Sequence, residues 1–212
     1  CPAGFRNAYR DLDMNSEEVQ ATFREMVEND VAMTSTLAVY EISVPGRGPI
    51  DERVYDILAP DIAEEVRAIA DVRRNANLEA GIAIHPDVYQ KALEYEYAFV
   101  QAGGTLAAGV DPTGYGAAPP GFGDQKNYEL LLEAGFTPPE VVQIMTANGA
   151  KVLGIDDETG TIEVGKVADL VVLEGDPEHD GHIQETRIVF KGGIGWDSPK
   201  LIESVRGIVG IR

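Results

Sequence analysis

Along this chain, apolar residues first recur at helical spacing after Asn15-Ser16-Glu17-Glu18. Val19, Phe23, Met26 and Val27 fall at i, i+4, i+7 and i+8, one face of a helix. Asn15, with Glu18 three residues on, reads as a capping box at its start, and Asn29-Asp30 ends it. Residues 31–40 are then apolar and rich in β-branched side chains without alternation. That pattern predicts a buried strand in a parallel sheet covered on both faces. Pro45-Gly46-Arg47-Gly48-Pro49 interrupts as a loop. A second helix is predicted over 61–80, with Ile62, Val66, Ile69 and Ala70 on one face and Gly81 as its stop. Pro86 opens a third at a favoured first-turn position, with Val88, Ala92, Tyr95 and Phe99 as its apolar face and Gly103-Gly104 at its end. Residues 105–111 read as a second short buried strand.

A long Gly/Pro loop follows over 112–123, then helices over 124–134 and 138–147. Thr137-Pro138-Pro139-Glu140 supplies an N-cap, a first-turn proline and an N3 glutamate for the latter. After Gly154 the pattern changes to three strand-like runs over 160–165, 168–174 and 186–191, with turns and no helix between them. Ser198-Pro199 starts a short closing helix to about Arg206. Helix, strand, helix, helix, strand is the order of an α/β fold with a parallel sheet. A complete (β/α)8 barrel takes about 250 residues, and residues 1–155 hold only two strands. The choice lies between a small α/β fold and the last quarter of a barrel. The long loop after the second strand favours the barrel, whose chemistry sits on loops at the C-terminal ends of its strands.

The chain has 212 residues, 44% hydrophobic and 25% charged, as in an ordinary globular protein. Lys and Arg number 17 against 36 Asp and Glu, a net charge of -19. Such a surface repels phosphate backbones and anionic lipid, which argues against nucleic-acid or membrane-surface partners. No run approaches the roughly 18 apolar residues of a membrane helix. A single cysteine forms no internal disulfide. Residue 1 is Cys, and residues 1–5 have neither the basic nor the apolar region of a signal peptide. The expectation is a chain that begins inside a longer coding sequence. Compartment is open, with a lean to the cytoplasm.

Asp111 is the sharpest chemical candidate. It ends an apolar strand and precedes Pro112, which pushes it toward extended geometry at the sheet's edge. A carboxylate there either meets a cation or caps its own turn, and spacing does not choose between the two. Tyr115 and Phe122 are the large side chains of the following loop and, with Tyr40 at the end of the first strand, are candidate substrate contacts. The alternative for that loop is a plain surface connection. Its glycines do not spell a phosphate cradle. His85 reads as a helix start, and His179 and His182 as a polar turn. With no HxH or HExxH, the chain offers no convincing set of the three or four ligands zinc needs. Gly-x-Ser-x-Gly is absent.

Several segments together carry a resemblance. Thr34-Ser35-Thr36-Leu37 resembles a strand-7 motif usually written TPTL, with Ser35 in place of proline. Residues 107–111, Ala-Ala-Gly-Val-Asp, resemble the strand 8 of the same family. Residues 135–140 with 146–154 are similar to the helix pair that follows, and residues 160–173 to the return into a small β-sandwich. Over residues 30–195 the chain thus resembles the C-terminal part of the metal-dependent amidohydrolase superfamily, in its imidazolonepropionase-like and prolidase-like branch. The resemblance implies the C-terminal part of a TIM-like (β/α)8 barrel over 1–157, part of a β-sandwich over 158–195 and a C-terminal helix or tail over 196–212. It makes Asp111 both a metal ligand and the catalytic proton shuttle, and it makes Asp169 a structural turn residue.

The same resemblance implies one or two divalent ions, zinc in the first place, whose other ligands have no match here. The implied reaction is hydrolysis of a carbon–nitrogen bond in a small amide or peptide-like substrate by metal-activated water. Alternatives are a deaminase of the same superfamily, or a non-catalytic α/β scaffold or inactive remnant. Two barrel strands without their partners leave edges unpaired, so self-association, as a homo-oligomer or an aggregate, is a further expectation.

Overall fold

The computed structural model describes residues 9–78, 83–112 and 117–210. Helix α1 (Glu17–Glu28) begins one residue later than the capping pattern predicts. Ser16 is the N-cap and its side chain accepts from the Val19 N–H. Asn15 is drawn away because its own N–H is bound by the Asp13 carboxylate at 2.9 Å. Val19 and Phe23 are buried as expected, with Phe23 against the rings of Tyr95 and Phe99.

The strand predicted over 31–40 is a correction. Only Met33–Ser35 forms β1; the chain turns at Thr36 and Leu37–Glu41 is a short helix, α2. A continuous apolar run does not distinguish a buried strand from a buried helix. Here Leu37, Ala38 and Glu41 bury one helical face while Tyr40 points out, 51% exposed. The second strand is likewise trimmed, to Leu106–Ala108 (β2). β1 and β2 pair in parallel, with Met33 opposite Leu106, Thr34 opposite Ala107 and Ser35 opposite Ala108.

The parallel connection between them is long, as it must be. It runs through α2, then α3 (Glu52–Ile57), which the sequence pattern does not predict, then α4 (Pro60–Arg74) and α5 (Pro86–Gln101). α4 ends at Asn75, short of the predicted 80, and Gly81 lies outside the described residues. His85 caps α5 and Pro86 sits in its first turn, as expected. The buried stripe of α5 is Tyr89, Leu93, Glu96 and Phe99, mostly one residue on from the predicted face.

Three helices follow β2: α6 (Phe122–Ala134), α7 (Pro138–Met145) and α8 (Ala147–Leu153). The start of α7 is as predicted, with the Glu140 carboxylate accepting from the Thr137 N–H and hydroxyl, both at 2.7 Å. The helix predicted over 138–147 breaks at Thr146, and α8 restarts beyond it. Leu93, Leu106, Leu130, Leu131 and Val141 form the centre of the main core between these helices and the two strands.

The second unit is an antiparallel sheet in the order β3 (Leu170–Leu173), β4 (Thr186–Lys191), β5 (Ile194–Asp197). Two expectations fail here. Residues 160–165 make turns instead of a strand: Gly160 and Gly165 both have positive φ, and Ile162 and Val164 are exposed without a neighbouring strand among the described residues. A four-residue helix, α9 (Pro177–Asp180), also intervenes between β3 and β4. The last helix, α10 (Ser198–Ser204), closes the chain as expected. No helix among the described residues is long and apolar enough to cross a membrane.

Candidate functional site

The C-terminal ends of β1 and β2 lie side by side, and the segments leaving them meet the start of α6. From β2 the chain passes through Gly109, whose N–H donates to the Ser35 carbonyl at 2.9 Å. The same glycine's carbonyl accepts from Asn127 Nδ2 at 2.6 Å. Asn127 Oδ1 in turn accepts from the Ala38 N–H at 2.8 Å, just beyond β1. Asn127 is completely buried. Val110 packs on Gly123 so closely that a Cβ there would come within 2.3 Å of Val110 Cγ1.

Asp111 follows. It is exposed, and its φ is +46° instead of the extended value expected before proline. The reason is that residues 109–110 fold over α6 and do not prolong the strand, so the chain must reverse at 111. Aspartate is among the few non-glycine residues that tolerate this left-handed region. Among the described residues its carboxylate has no hydrogen-bond or ion-pair partner.

A cleft of about 280 Å³ opens between the loop after β1 and the start of α6. Phe122 forms part of its wall, with the Arg53 guanidinium 5.3 Å above the ring. Arg53 pairs with Asp51 and donates to Gln125 at 3.1 Å, and the Arg53 guanidinium holds the Asp51 carboxyl below its usual range. Arg47 clamps the loop to α6, reaching Glu41 at 2.8 Å and Glu133 at 2.6 Å. Hydrogen bonding to Glu133, and secondarily to Glu41, keeps that guanidinium more firmly charged than usual. Burial works against the charge of Lys126, but Glu41 and Glu129, at 3.7 and 3.0 Å, outweigh it. Each of these three cations has a carboxylate partner, so the network shapes the cleft wall.

The expected site residues are only partly brought together. Phe122 lines the cleft; Tyr40 and Asp111 do not. Ala117 and Ala118, at the far end of the loop that starts at Asp111, do line it. Tyr115 lies outside the described residues. Pattern reading missed Asn127, Glu41, Arg47 and Lys126, because each matters only through partners distant in the chain. Asp169 directly precedes β3, accepting from the Gly192 N–H at 2.7 Å and pairing with Lys191, which lowers its carboxyl pKa. His85 caps α5, and His179, exposed in α9 and not on the expected polar turn, is paired with Asp176 at that helix's N-cap.

Among the described residues no three His, Cys, Asp or Glu side chains converge on one point. A protein zinc site needs three or four ligands. These residues therefore do not form the divalent-metal site that the resemblance implies, and Asp111 could contribute one ligand at most.

Residues 121–195 match the amidohydrolase family. A stretch of 65 residues is 40% identical to a 5-methylthioadenosine/S-adenosylhomocysteine deaminase of Desulforudis audaxviator, covering 30% of this chain and 14% of that one. A solved structure from Bifidobacterium longum, provisionally described as a prolidase, superimposes with a TM-score of 0.56 at 25% identity. The match covers 90% of this chain and 43% of that one. The ochratoxinase of A. niger superimposes with a TM-score of 0.52 at 25% identity over 87% of this chain and 35% of its own. This chain thus spans less than half the length of each of these relatives.

Proposed function

From the match of residues 121–195 to the amidohydrolase family, we propose that this chain is the C-terminal part of a hydrolase that cleaves a carbon–nitrogen bond in a small amide or peptide-like molecule. Asp111 is the residue that handles the proton. It accepts one from the attacking water and delivers it to the departing nitrogen, so the leaving group departs as a neutral amine. The observation that carries this reading is the placement of Asp111. Among the described residues its carboxylate has no partner, its backbone conformation is sparsely populated, and it stands just past the C-terminal end of a parallel strand, where residues of this conformational kind gather at active sites. Phe122 and the ion-paired cleft wall serve as the substrate-facing surface. A divalent ion, zinc in the first place, belongs to this proposal through the family alone, with its remaining ligands supplied from outside the described residues. The barrel and sandwich assignments stand on the same footing.

The 40% identity with a deaminase supports a second reading, hydrolysis of a cyclic amidine with release of ammonia. One experiment separates the two. The complete polypeptide is assayed for proline release from Xaa-Pro dipeptides and, in parallel, for ammonia release from adenine nucleosides. Proline release carries the first reading and ammonia release the second. Turnover of neither leaves the non-catalytic scaffold.

A further inference from the structure

We propose that Asn127 is a positioning residue that sets where Asp111 stands, by clasping the ends of β1 and β2 to one another; its catalytic meaning rests on the reading of Asp111 above. The side-chain amide is fully buried and its orientation is dictated by its partners. The Ala38 N–H requires an acceptor and the Gly109 carbonyl requires a donor, so Oδ1 faces the first and Nδ2 the second. The two bonds span 89 and 18 residues of chain, so one side chain ties together segments that leave different strands.

Gly109 is held on both sides. Its N–H is fixed to Ser35 of β1 and its carbonyl to Asn127 of α6. The next residue, Val110, is seated on Gly123, one helical turn before Asn127 on the same helix. Two consecutive residues are thus pinned to α6 from two successive turns, and the chain has one residue in which to reverse. Asp111 takes up that reversal at φ +46°. If the Gly109 carbonyl is released, the peptide planes around residues 109–111 are free to rotate and the constraint that imposes the left-handed conformation is gone.

Asn127→Asp is the informative variant. Once its side-chain carbon-13 shift confirms ionisation, the carboxylate still accepts from the Ala38 N–H but presents an oxygen, with no proton, to the Gly109 carbonyl, so it unhooks the β2 side alone; a protonated carboxyl, which burial favours, would donate in place of the amide. Asn127→Leu removes both hooks and leaves two buried backbone groups unpaired; should it fail to fold, Asn127→Asp carries the test. The readout is the intraresidue HN–Hα nuclear Overhauser effect, strong at positive φ, in the full 212-residue chain. Asp30, the other non-glycine residue with positive φ among those described, serves as internal control. In Asn127→Asp we expect the Asp111 signal to fall to that of an extended residue, with Ala38 amide protection and the Asp30 signal unchanged. An unchanged Asp111 signal overturns the proposal, and so does a loss shared with Asp30, because that would mark a merely structural role.

In the complete enzyme the same variant should lower kcat by about 100-fold with little change in KM, the cost of a misplaced reacting group. Wild-type kcat with a displaced Asp111 also overturns the positioning role. Full turnover by Asp111→Asn is a different failure. It removes Asp111 from the chemistry while the magnetic-resonance result on the clasp stands, so the two readings fall separately.

Discussion

Glu96 is a buried carboxylate on α5, and one of its oxygens, like the fully buried Ser35 hydroxyl, has no hydrogen-bond partner of good geometry among the described residues. Burial pushes its carboxyl up to about 7, and the Ser35 hydroxyl beside it offsets only part of that cost. The folded protein therefore holds this proton more tightly than the unfolded chain. The contribution to stability is complete below the ordinary carboxylate range and is lost as pH rises through 7. From a starting value of 4.5 the full loss is roughly 3 kcal/mol. Urea unfolding at about pH 5 and about pH 8 should show that loss in wild type and a much flatter dependence in Glu96→Gln. Equal slopes for the two proteins would remove Glu96 as the cause. Asp111 is the second residue with a prediction of its own. Asparagine also tolerates positive φ, so Asp111→Asn removes charge without forcing the backbone. If Asp111 handles the proton as proposed, turnover by the complete polypeptide should fall by about 10²–10⁴-fold while the thermal midpoint stays in place.

Among the elements, α6 does the most to build the site. It begins at Phe122 on the cleft, meets Val110 through Gly123, and carries Lys126 and Asn127 in its second turn. Alanine at 123 would be a better helix former by about 1 kcal/mol. Its Cβ, however, would sit 2.3 Å from a stiff valine methyl. Overpacking of this kind costs about 1–3 kcal/mol, so Gly123→Ala should destabilise the protein in denaturant titrations despite the gain in propensity. A stabilised variant would mean that Val110 is free to move aside. At the next element, α2 shows why the first strand is shorter than its apolar run. Leu37 and Ala38 are satisfied by burial on a helix as well as on a strand, and the Ala38 N–H finds its acceptor in Asn127 rather than in a sheet.

On the scale of the molecule, the β3–β5 sheet has apolar side chains on both faces. Val171, Val189 and Trp196 line up across one, and Val172 with Ile188 across the other. Val171 is 60% exposed and Trp196 48%. Contiguous apolar surface of this kind marks a place where protein packs on protein. The charge of -19 opposes association between copies, so screening should favour it. Sedimentation of the 212-residue chain is expected to show concentration-dependent association that strengthens with salt and weakens in Trp196→Lys. A monomer at every concentration would show that the sheet is not adhesive.

Local features were readable from the residues alone. Pro86 at the start of α5, the Gly103-Gly104 stop at its end, the Thr137–Glu140 cap of α7 and β4 are each decided by groups within a few residues of one another, so local pattern carries them. The resemblance carried by residues 135–173 likewise led to the family that residues 121–195 match. Tertiary structure decided the rest. Where β1 stops depends on an amide 89 residues away, the cleft wall on an Arg47–Glu133 pair 86 residues apart, and the conformation of Asp111 on a helix that begins eleven residues later. An apolar run states only that a segment is buried. Whether it is buried as strand or helix is settled by which distant donor or acceptor meets its backbone.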